Sequence, residues 1–220
     1  MLKRSPGKPW WSMAGPLSWR GNCVILNDQR RDMPRLILAS GSPRRQKILR
    51  ALGLQFEIAV PDVVEVDWPM APTAMVLENA TRKWQWCRTR YPGAAIVAAD
   101  TTVELGGHCL GKPETRDKAF DMLKAESGRM QIVHTGFVLA HPDEPDVQAT
   151  TETSTVFFRE LSDDLIHRYL AVVNPLDRAG AYDIDHHGDW LIERIEGSWT
   201  NVMGLPAERV NEWITCRVVS

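Results

Sequence analysis

The sequence predicts an α/β protein with a central mixed β-sheet flanked by helices. Short apolar runs alternate along the chain with longer runs of helical spacing, which is the pattern of α/β folds. The 220 residues, 44% of them hydrophobic, suffice for a real core in one domain or in two small ones. We expect strands at residues 36–39, 56–60, 94–99, 103–105, 109–110, 131–140, 147–158 and 190–195.

The helices are predicted from their apolar spacing and from residues typical of helix ends. In the first helix, residues 46–52 place Ile48 and Leu49 on one apolar face. Ser42 fits the N-cap position before this helix and Gly53 fits the stop after it. Further helices are expected at residues 73–90, at 115–127, from Ser162 onward and at 206–215.

Two arginines in the first turn of the first helix point to a phosphate site. Pro43 suits the first helical position, so Arg44 and Arg45 follow it where the helix dipole disfavours cations. A bound polyphosphate would explain their placement, because free N–H groups attract anions and guanidinium groups grip phosphate oxygens in a fork geometry. The alternative is an exposed basic turn.

Asp100 is the sharpest candidate for catalysis. We predict it at the C-terminal end of strand 94–99, and α/β sheets commonly form their ligand crevice at the carboxyl ends of strands. The alternative is a carboxylate that caps a turn. Taken alone, Glu65 is interpreted as a solvated surface acid. Together with Asp100 it could form the two-carboxylate site that Mg²⁺ favours when phosphates supply the other ligands.

Two lysines are candidates for additional positive charge. Lys83 lies on the helix at 73–90, where most lysines only solvate a face. Lys112 lies between Gly111 and Pro113, which fix the backbone and so aim the side chain, although an ordinary turn lysine has the same context. The chain has no Walker loop, no G-x-G-x-x-G and no G-x-S-x-G, so classical kinase, Rossmann dehydrogenase and α/β-hydrolase functions are unsupported.

The composition argues against several other classes of protein. The net charge of −2 gives no reason to expect nucleic acid or an anionic membrane as a partner. The four cysteines are scattered, which suits a reducing cytosol and supplies neither a zinc knuckle nor a disulfide framework. No apolar run approaches the ~20 residues of a membrane span. We therefore expect a cytoplasmic protein that binds neither nucleic acid nor membrane.

Residues 1–33 differ from the rest of the chain. They hold three tryptophans and carry six basic against two acidic side chains, without a helical or strand period. We expect a disordered tail or a start codon assigned too far upstream, because Met33 immediately precedes the first predicted strand. A small docking arm is the alternative, since exposed tryptophan often anchors an interface. Residues 34–216 are expected to form a single catalytic domain.

Six segments, taken together and in order, resemble the Maf family of nucleotide pyrophosphatases, the "septum formation" proteins. They are LASGSPRR at 38–45, ADTTV at 99–103, LGKP at 110–113, HTG at 134–136, RAGAY at 178–182 and GSWTNVMGLP at 197–206. One such motif would be weak, but six in family order make the resemblance specific.

The resemblance implies a metal-dependent hydrolase of acid anhydrides, which cleaves nucleoside triphosphates to the monophosphate and pyrophosphate. It implies an α/β, ITPase-like fold with two lobes and a cleft between them, often as a homodimer. Asp100 would be the general base or metal-linked acid, and Glu65 would help hold a divalent cation, Mg²⁺ or Mn²⁺. The substrate-binding residues implied by the resemblance and by its substrate branches are Ser40, Ser42, Arg44, Arg45, Lys83, Thr101, Lys112 and Asp185.

The resemblance also bears on the choice of base. At Arg44 and Thr101 the sequence resembles the family branch that acts on dTTP and UTP rather than the branch that acts on 7-methyl-GTP. That branch typically carries glutamine where this chain has Asp185, and an ionised carboxylate only accepts hydrogen bonds, whereas an amide also donates. We therefore expect a broadened or shifted base preference, with modified nucleotides among the candidates. Arg178 stands where the family usually has lysine, a cation of different geometry.

Two other functions compete with hydrolysis. The family's name suggests a non-enzymatic regulator of septum formation and cell division, which binds a nucleotide or a protein. The presence of Asp100 argues against regulation as the only role, because a regulator needs no water-activating acid. The basic, tryptophan-bearing N-terminal segment suggests an accessory nucleic-acid contact.

Overall fold

The computed structural model describes residues 34–67 and 69–216, so the predictions for residues 1–33 lie outside the described residues. Residues Pro34–Ala207 form one compact unit, and the chain from Glu208 onward belongs to a second. In the part of the chain that is described, no helix is both long and apolar enough to cross a membrane.

A mixed β-sheet is the centre of the first unit. Its seven strands are β1 (Leu36–Ala39), β2 (Glu57–Ala59), β3 (Ala95–Leu105), β4 (His108–Leu110), β5 (Met130–Ala140), β6 (Gln148–Phe158) and β7 (Ile192–Glu196). They lie in the order β2-β1-β3-β5-β6-β7, with β4 paired to β3. Strand β1 is parallel to β2 and β3, and the remaining pairs are antiparallel. The predicted α/β class with a mixed sheet is confirmed.

Helices connect the strands of this unit and cover the sheet. They are α1 (Pro43–Ala51), α2 (Pro72–Arg90), α3 (Arg116–Glu126), α4 (Asp163–Val172), α5 (Gly188–Leu191) and α6 (Trp199–Val202), with a 3₁₀ turn at Ala179–Ala181. Helix α7 (Ala207–Thr215) lies, apart from its first residue, in the second unit. Helix α2 packs on β3 and β5. A Cβ at Gly136 of β5 would lie 2.4 Å from the backbone of Val76 and Leu77, so the glycine allows α2 to touch the sheet directly.

The third strand is longer than predicted, and its length changes the position of Asp100. The sequence prediction ended the strand at residue 99, whereas β3 runs through Asp100 to Leu105. Its pairing with β1 stops at Ala98, but β5 pairs with β3 from Ile96 to Glu104 and so sustains the strand. Asp100 therefore lies inside β3, just beyond the carboxyl end of β1.

The predicted strand at 190–195 was wrong at its start. Trp190 belongs to the short helix α5, and β7 begins only at Ile192. His187 precedes α5 in the left-handed backbone region, at φ 57°, and its carbonyl accepts a hydrogen bond from the Trp190 N–H at 3.0 Å. The local turn therefore overrides the β propensity of the aromatic residue.

Candidate active site

A cleft of about 700 Å³ opens beyond the carboxyl end of β1. It is lined by the β1–α1 turn, the segment before α2, one face of α2, residues 100–103 of β3, the turn after β4 and the segment around the 3₁₀ turn. Of the residues predicted for the site, those that line the cleft are Ser40, Ser42, Arg44, Arg45, Glu65, Lys83, Asp100, Thr101 and Lys112. Asp185 does not line it.

Two carboxylates converge on one ammonium group at the floor of the cleft. Lys83 Nζ lies 2.6 Å from Glu65 Oε1 and 2.6 Å from Asp100 Oδ1. Lys83 is only 8% exposed, so the helix directs this lysine inward rather than into solvent. We call Glu65, Lys83 and Asp100 the carboxylate cluster.

Asn79 holds the carboxylate cluster together and was missed by the sequence analysis. Its Nδ2 donates to Asp100 Oδ2 at 3.1 Å and to the Val66 carbonyl at 3.0 Å, while its Oδ1 accepts from the Val66 N–H at 2.7 Å. The amide therefore fixes Asp100 and ties the segment that carries Glu65 to α2. Its position four residues before Lys83, on the same helix face, is the sequence pattern that could have indicated it.

Arg45 is a buried guanidinium that joins three distant segments. Its Nε donates to the Gly204 carbonyl at 2.8 Å, Nη1 to Ser40 Oγ at 3.0 Å and Nη2 to Thr101 Oγ1 at 3.0 Å. Burial lowers its pKa, and the negative charge of Asp100 opposes that shift. Since the acceptors are neutral, Arg45 brings an uncancelled positive charge to the cleft wall.

The two serines of the β1–α1 turn have different hydrogen bonds. Ser40 Oγ accepts from Arg45 Nη1 and, at 3.2 Å, from the Ser42 N–H, which uses its acceptor capacity and leaves its own proton to donate. Ser42 occupies the N-cap of α1 as predicted, but its side chain makes no capping hydrogen bond. Both hydroxyls are therefore available as donors to a ligand oxygen.

Arg44 and Lys112 line the cleft, and within the described chain neither side chain has a hydrogen-bond or ion-pair partner. Burial lowers the pKa of Arg44, and the nearby positive charge of Arg178 lowers it further. Arg178 also lines the cleft and is held by Asp183, whose Oδ2 accepts from Nε at 3.1 Å and Nη2 at 2.8 Å, and by Asp177. We call Arg44, Lys112 and Arg178 the cation group.

Arg178 was noted in the sequence but not selected as a site residue. It belongs to the RAGAY segment, so the motif itself was the available indication. Burial acts to lower its pKa, but the hydrogen bonds and charge of Asp183 prevail and raise it.

Asp185 lies apart from the other predicted substrate-binding residues, all of which line the cleft. Its Oδ2 accepts from Lys47 Nζ at 2.8 Å, and its side chain is 6% exposed. The preceding residue, Ile184, lines the cleft instead. The Asp185 carboxylate is therefore held by Lys47 and lies outside the residues that line the cleft, and its effect on base preference stays a prediction.

The donor set fits a divalent cation only in combination with a phosphorylated ligand. No group of three or more His, Cys, Asp or Glu side chains that could hold a metal ion occurs in residues 34–67 and 69–216. Glu65 Oε1 and Asp100 Oδ1 both meet the Lys83 ammonium group, so a divalent cation held by the two carboxylates would take a place beside Lys83 and use their remaining acceptor capacity. Mg²⁺ typically takes one or two carboxylates together with substrate phosphates. The two acids would therefore supply part of the ligand set, and the phosphates of a nucleotide would supply the rest.

The fold and the cleft together define an α/β protein with a site for a polyanionic ligand, in which paired carboxylates face a set of cations. Comparison with known families identifies the class further. Residues 35–216 match the model of the family described as "Maf-like protein", and the chain belongs to the Maf family. The family predicted from the six sequence segments is thereby confirmed.

Relatives of known name cover nearly the same length. The chain is 43% identical to the dTTP/UTP pyrophosphatase of Thermus thermophilus, over 80% of this chain and 91% of that protein. It is 42% identical to the dTTP/UTP pyrophosphatase of Symbiobacterium thermophilum, over 83% and 94%, respectively. A solved structure, the Ham1 protein of Staphylococcus aureus, aligns with 83% of this chain and 99% of its own at 14% identity and a TM-score of 0.47.

Proposed function

We propose that this protein is a nucleoside triphosphate pyrophosphatase, a hydrolase that cleaves the bond between the α and β phosphates and releases the monophosphate and pyrophosphate. Relatives at 42–43% identity carry the name dTTP/UTP pyrophosphatase. The observation that carries the proposal is the convergence of Asp100 and Glu65 on Lys83 in a cleft that also holds unpartnered cations.

Asp100 is the proposed general base. A water molecule attacks the α phosphorus, its proton passes to an Asp100 oxygen, and the bond from the α phosphorus to the bridging oxygen breaks, so that pyrophosphate leaves with the bonding electrons. Each carboxylate oxygen has two lone pairs, so Asp100 keeps acceptor capacity while Lys83 and Asn79 hold it. A positioned general base typically contributes ~10²–10⁴ in rate.

The cations are proposed to bind and neutralise the triphosphate. Arg44 and Lys112 have no partner among the described residues, so they can bind phosphate oxygens without breaking an existing ion pair. Arg45 adds a fixed charge, and Ser40 adds a hydroxyl donor. Preorganised donors of this kind stabilise the negative charge that develops on the leaving group.

Glu65 and Asp100 are proposed to hold a divalent cation, Mg²⁺ or Mn²⁺, together with the phosphates. Such an ion would supply neutralisation of phosphate charge and help orient the substrate. Lys83 keeps the two carboxylates at one place through ion pairs of 2.6 Å with each.

For the substrate we propose dTTP and UTP among the common nucleotides, with a preference broadened or shifted by Asp185, so that Asp185→Gln should act less on the other nucleotides while its activity on dTTP stays close to that of wild type. The names of the relatives support the pyrimidine nucleotides. We further propose action in the cytoplasm, which the scattered cysteines of the sequence favour, and a homodimer, which the family resemblance implies.

The first test is an assay of the purified protein with Mg²⁺ and each of the eight common ribo- and deoxyribonucleoside triphosphates, plus 7-methyl-GTP. Pyrophosphate and orthophosphate are measured separately. We expect pyrophosphate from dTTP and UTP. Nucleotide binding without pyrophosphate from any substrate would instead favour a nucleotide-binding regulator.

A further inference from the structure

Glu126 is a buried acid whose carboxyl group makes no hydrogen bond with the described residues. It is the last residue of α3, its exposed fraction is 0%, and neither carboxyl oxygen has a hydrogen-bond partner in residues 34–67 and 69–216. Burial raises its pKa well above the usual value. Burial therefore favours the neutral acid over the carboxylate.

Glu126 lies behind one wall of the cleft, on the side that faces the protein interior. Its Oε1 lies 2.9 Å from where a Cβ would stand on Gly180, so the carboxyl group is packed under the 3₁₀ turn. The titratable groups that face it are the phenols of Tyr182 and of Tyr169 from α4, whose own pKa values are raised by burial. Gln131 of β5 lies beside Tyr182 and is fully buried.

The outer side of the same segment forms part of the cleft. Arg178, Ala179 and Tyr182 line the cleft on either side of Gly180. The Gly180 N–H donates to the Gly111 carbonyl at 3.3 Å, which joins the wall to the turn that carries Lys112. A displacement of Gly180 would therefore move two members of the cation group.

We propose that Glu126 is a positioning residue for this cleft: as the neutral acid it supports Gly180 and Tyr182 from behind, and loss of its proton loosens the wall and weakens nucleotide binding. The inference rests on the proposed function for the identity of the ligand. It adds a residue that lies outside the cleft and touches no reacting atom.

The physical basis is the cost of a charge without a partner. An ionised carboxylate in this place would have neither water nor a cation, so the chain would relieve it by letting solvent reach Glu126. The 3₁₀ turn covers the carboxyl group directly, and Gly180 adds no side chain to that cover. The neutral acid needs no such opening.

The test compares wild type with Glu126→Gln, which keeps the size and neutrality of the acid but cannot ionise. Binding of the non-hydrolysable analogue α,β-imido-dUTP is measured by calorimetry from pH 6 to pH 9. We expect wild type to lose at least about fivefold more affinity over this range than Glu126→Gln, since a linked proton changes affinity by up to tenfold per pH unit. Infrared difference spectra report the protonated carboxyl band of Glu126 in the same samples.

Two further variants complete the design. Glu114→Gln makes the same replacement at an exposed acid just before α3 and is expected to follow wild type, which controls for the exchange of a glutamate for a glutamine in this part of the chain. If Glu126→Gln does not fold, Glu126→Leu serves the same comparison, because it too lacks a titrating group. Equal pH profiles for wild type and the Glu126 variant would overturn the proposal. Failure of all proteins to bind the analogue at any pH would instead contradict the proposed function.

Discussion

The carboxylate cluster and the cation group lie in one cleft but differ in how their charges are compensated. In the cluster, Lys83 pairs with both Glu65 and Asp100, and Asn79 holds Asp100 from the other side. In the cation group, Arg44 and Lys112 have no partner among the described residues. The cluster is thus preorganised, whereas in the cation group Arg178 pairs with Asp183 and Asp177 but Arg44 and Lys112 still need an anion.

This difference separates two tasks that a hydrolase must perform. A base needs a fixed position before the substrate arrives, because misplacement by a fraction of an ångström costs rate. Groups that bind a polyphosphate gain most when they exchange water for phosphate oxygens. We therefore expect changes in the cluster to lower kcat and changes in the cation group to raise KM.

The largest effect is expected from Asp100→Asn. The amide cannot take a proton from water, so kcat should fall by ~10²–10⁴ while the affinity for nucleotide remains close to that of wild type. Steady-state kinetics and calorimetry on the same preparation measure the two quantities. A variant that retains most of its kcat would show that Asp100 is not the base.

Lysine substitutions test the comparison directly. Lys83→Met removes the hydrogen bond to the charged Asp100, worth ~1.5–3 kcal/mol, together with the ion pair to Glu65, and leaves two facing carboxylates, so kcat should fall by about 10- to 100-fold. Lys112→Met removes one exposed charge, worth about 1 kcal/mol, so KM should rise by about fivefold with kcat nearly unchanged. If both variants changed KM alone, the division between cluster and cation group would be wrong.

The free energy of unfolding should depend on pH through Glu126, which lies behind the cation group. Its folded-state pKa is raised above the usual value of 4.5, so above that pH the unfolded chain releases a proton that the folded chain keeps. The free energy of unfolding of wild type should therefore fall with rising pH, by up to about 1.4 kcal/mol per pH unit from this group, until the folded-state pKa is reached. Urea unfolding at several pH values should show that the free energy of unfolding of Glu126→Gln depends less steeply on pH than that of wild type. An unchanged slope would mean that Glu126 ionises in the folded protein as it does in the unfolded chain.

The smallest effect is expected from Asp185→Gln, outside both groups. Lys47 already holds the Asp185 carboxylate, and glutamine can accept the same hydrogen bond, so kcat/KM for dTTP should change by about twofold or less. The eight-nucleotide assay repeated on this variant measures both rate and base preference. A marked narrowing toward dTTP and UTP would favour the role in base choice predicted from the sequence.

Much of the site could be predicted because its residues lie in short segments with strong local rules. The Ser42–Arg45 turn follows a buried strand and opens a helix, and such a turn places cations and free N–H groups together whatever the tertiary context. The mixed α/β sheet followed in the same way from apolar runs alternating with helical spacing. Most elements begin within one or two residues of their predicted positions.

The remainder depends on contacts between residues distant in sequence. Asn79 has a role only because Val66 and Asp100 come within hydrogen-bond distance of it. The helical spacing of apolar residues does not predict these two contacts. Strand β3 continues through Asp100 because β5 pairs with it from the other side. Asp185 was assigned from its motif, but its orientation follows from Lys47, 138 residues earlier in the chain.

The hydrogen bond from Arg45 to the Gly204 carbonyl has a consequence for biosynthesis. The two residues are 159 positions apart, so the Arg45 guanidinium receives this partner only after the chain as far as Gly204 has left the ribosome. Until then the charge of Arg45 must stay hydrated, and the turn that carries it remains open to water. A nascent chain that stops before Gly204 should therefore be unable to assemble the cleft, and it should be inactive.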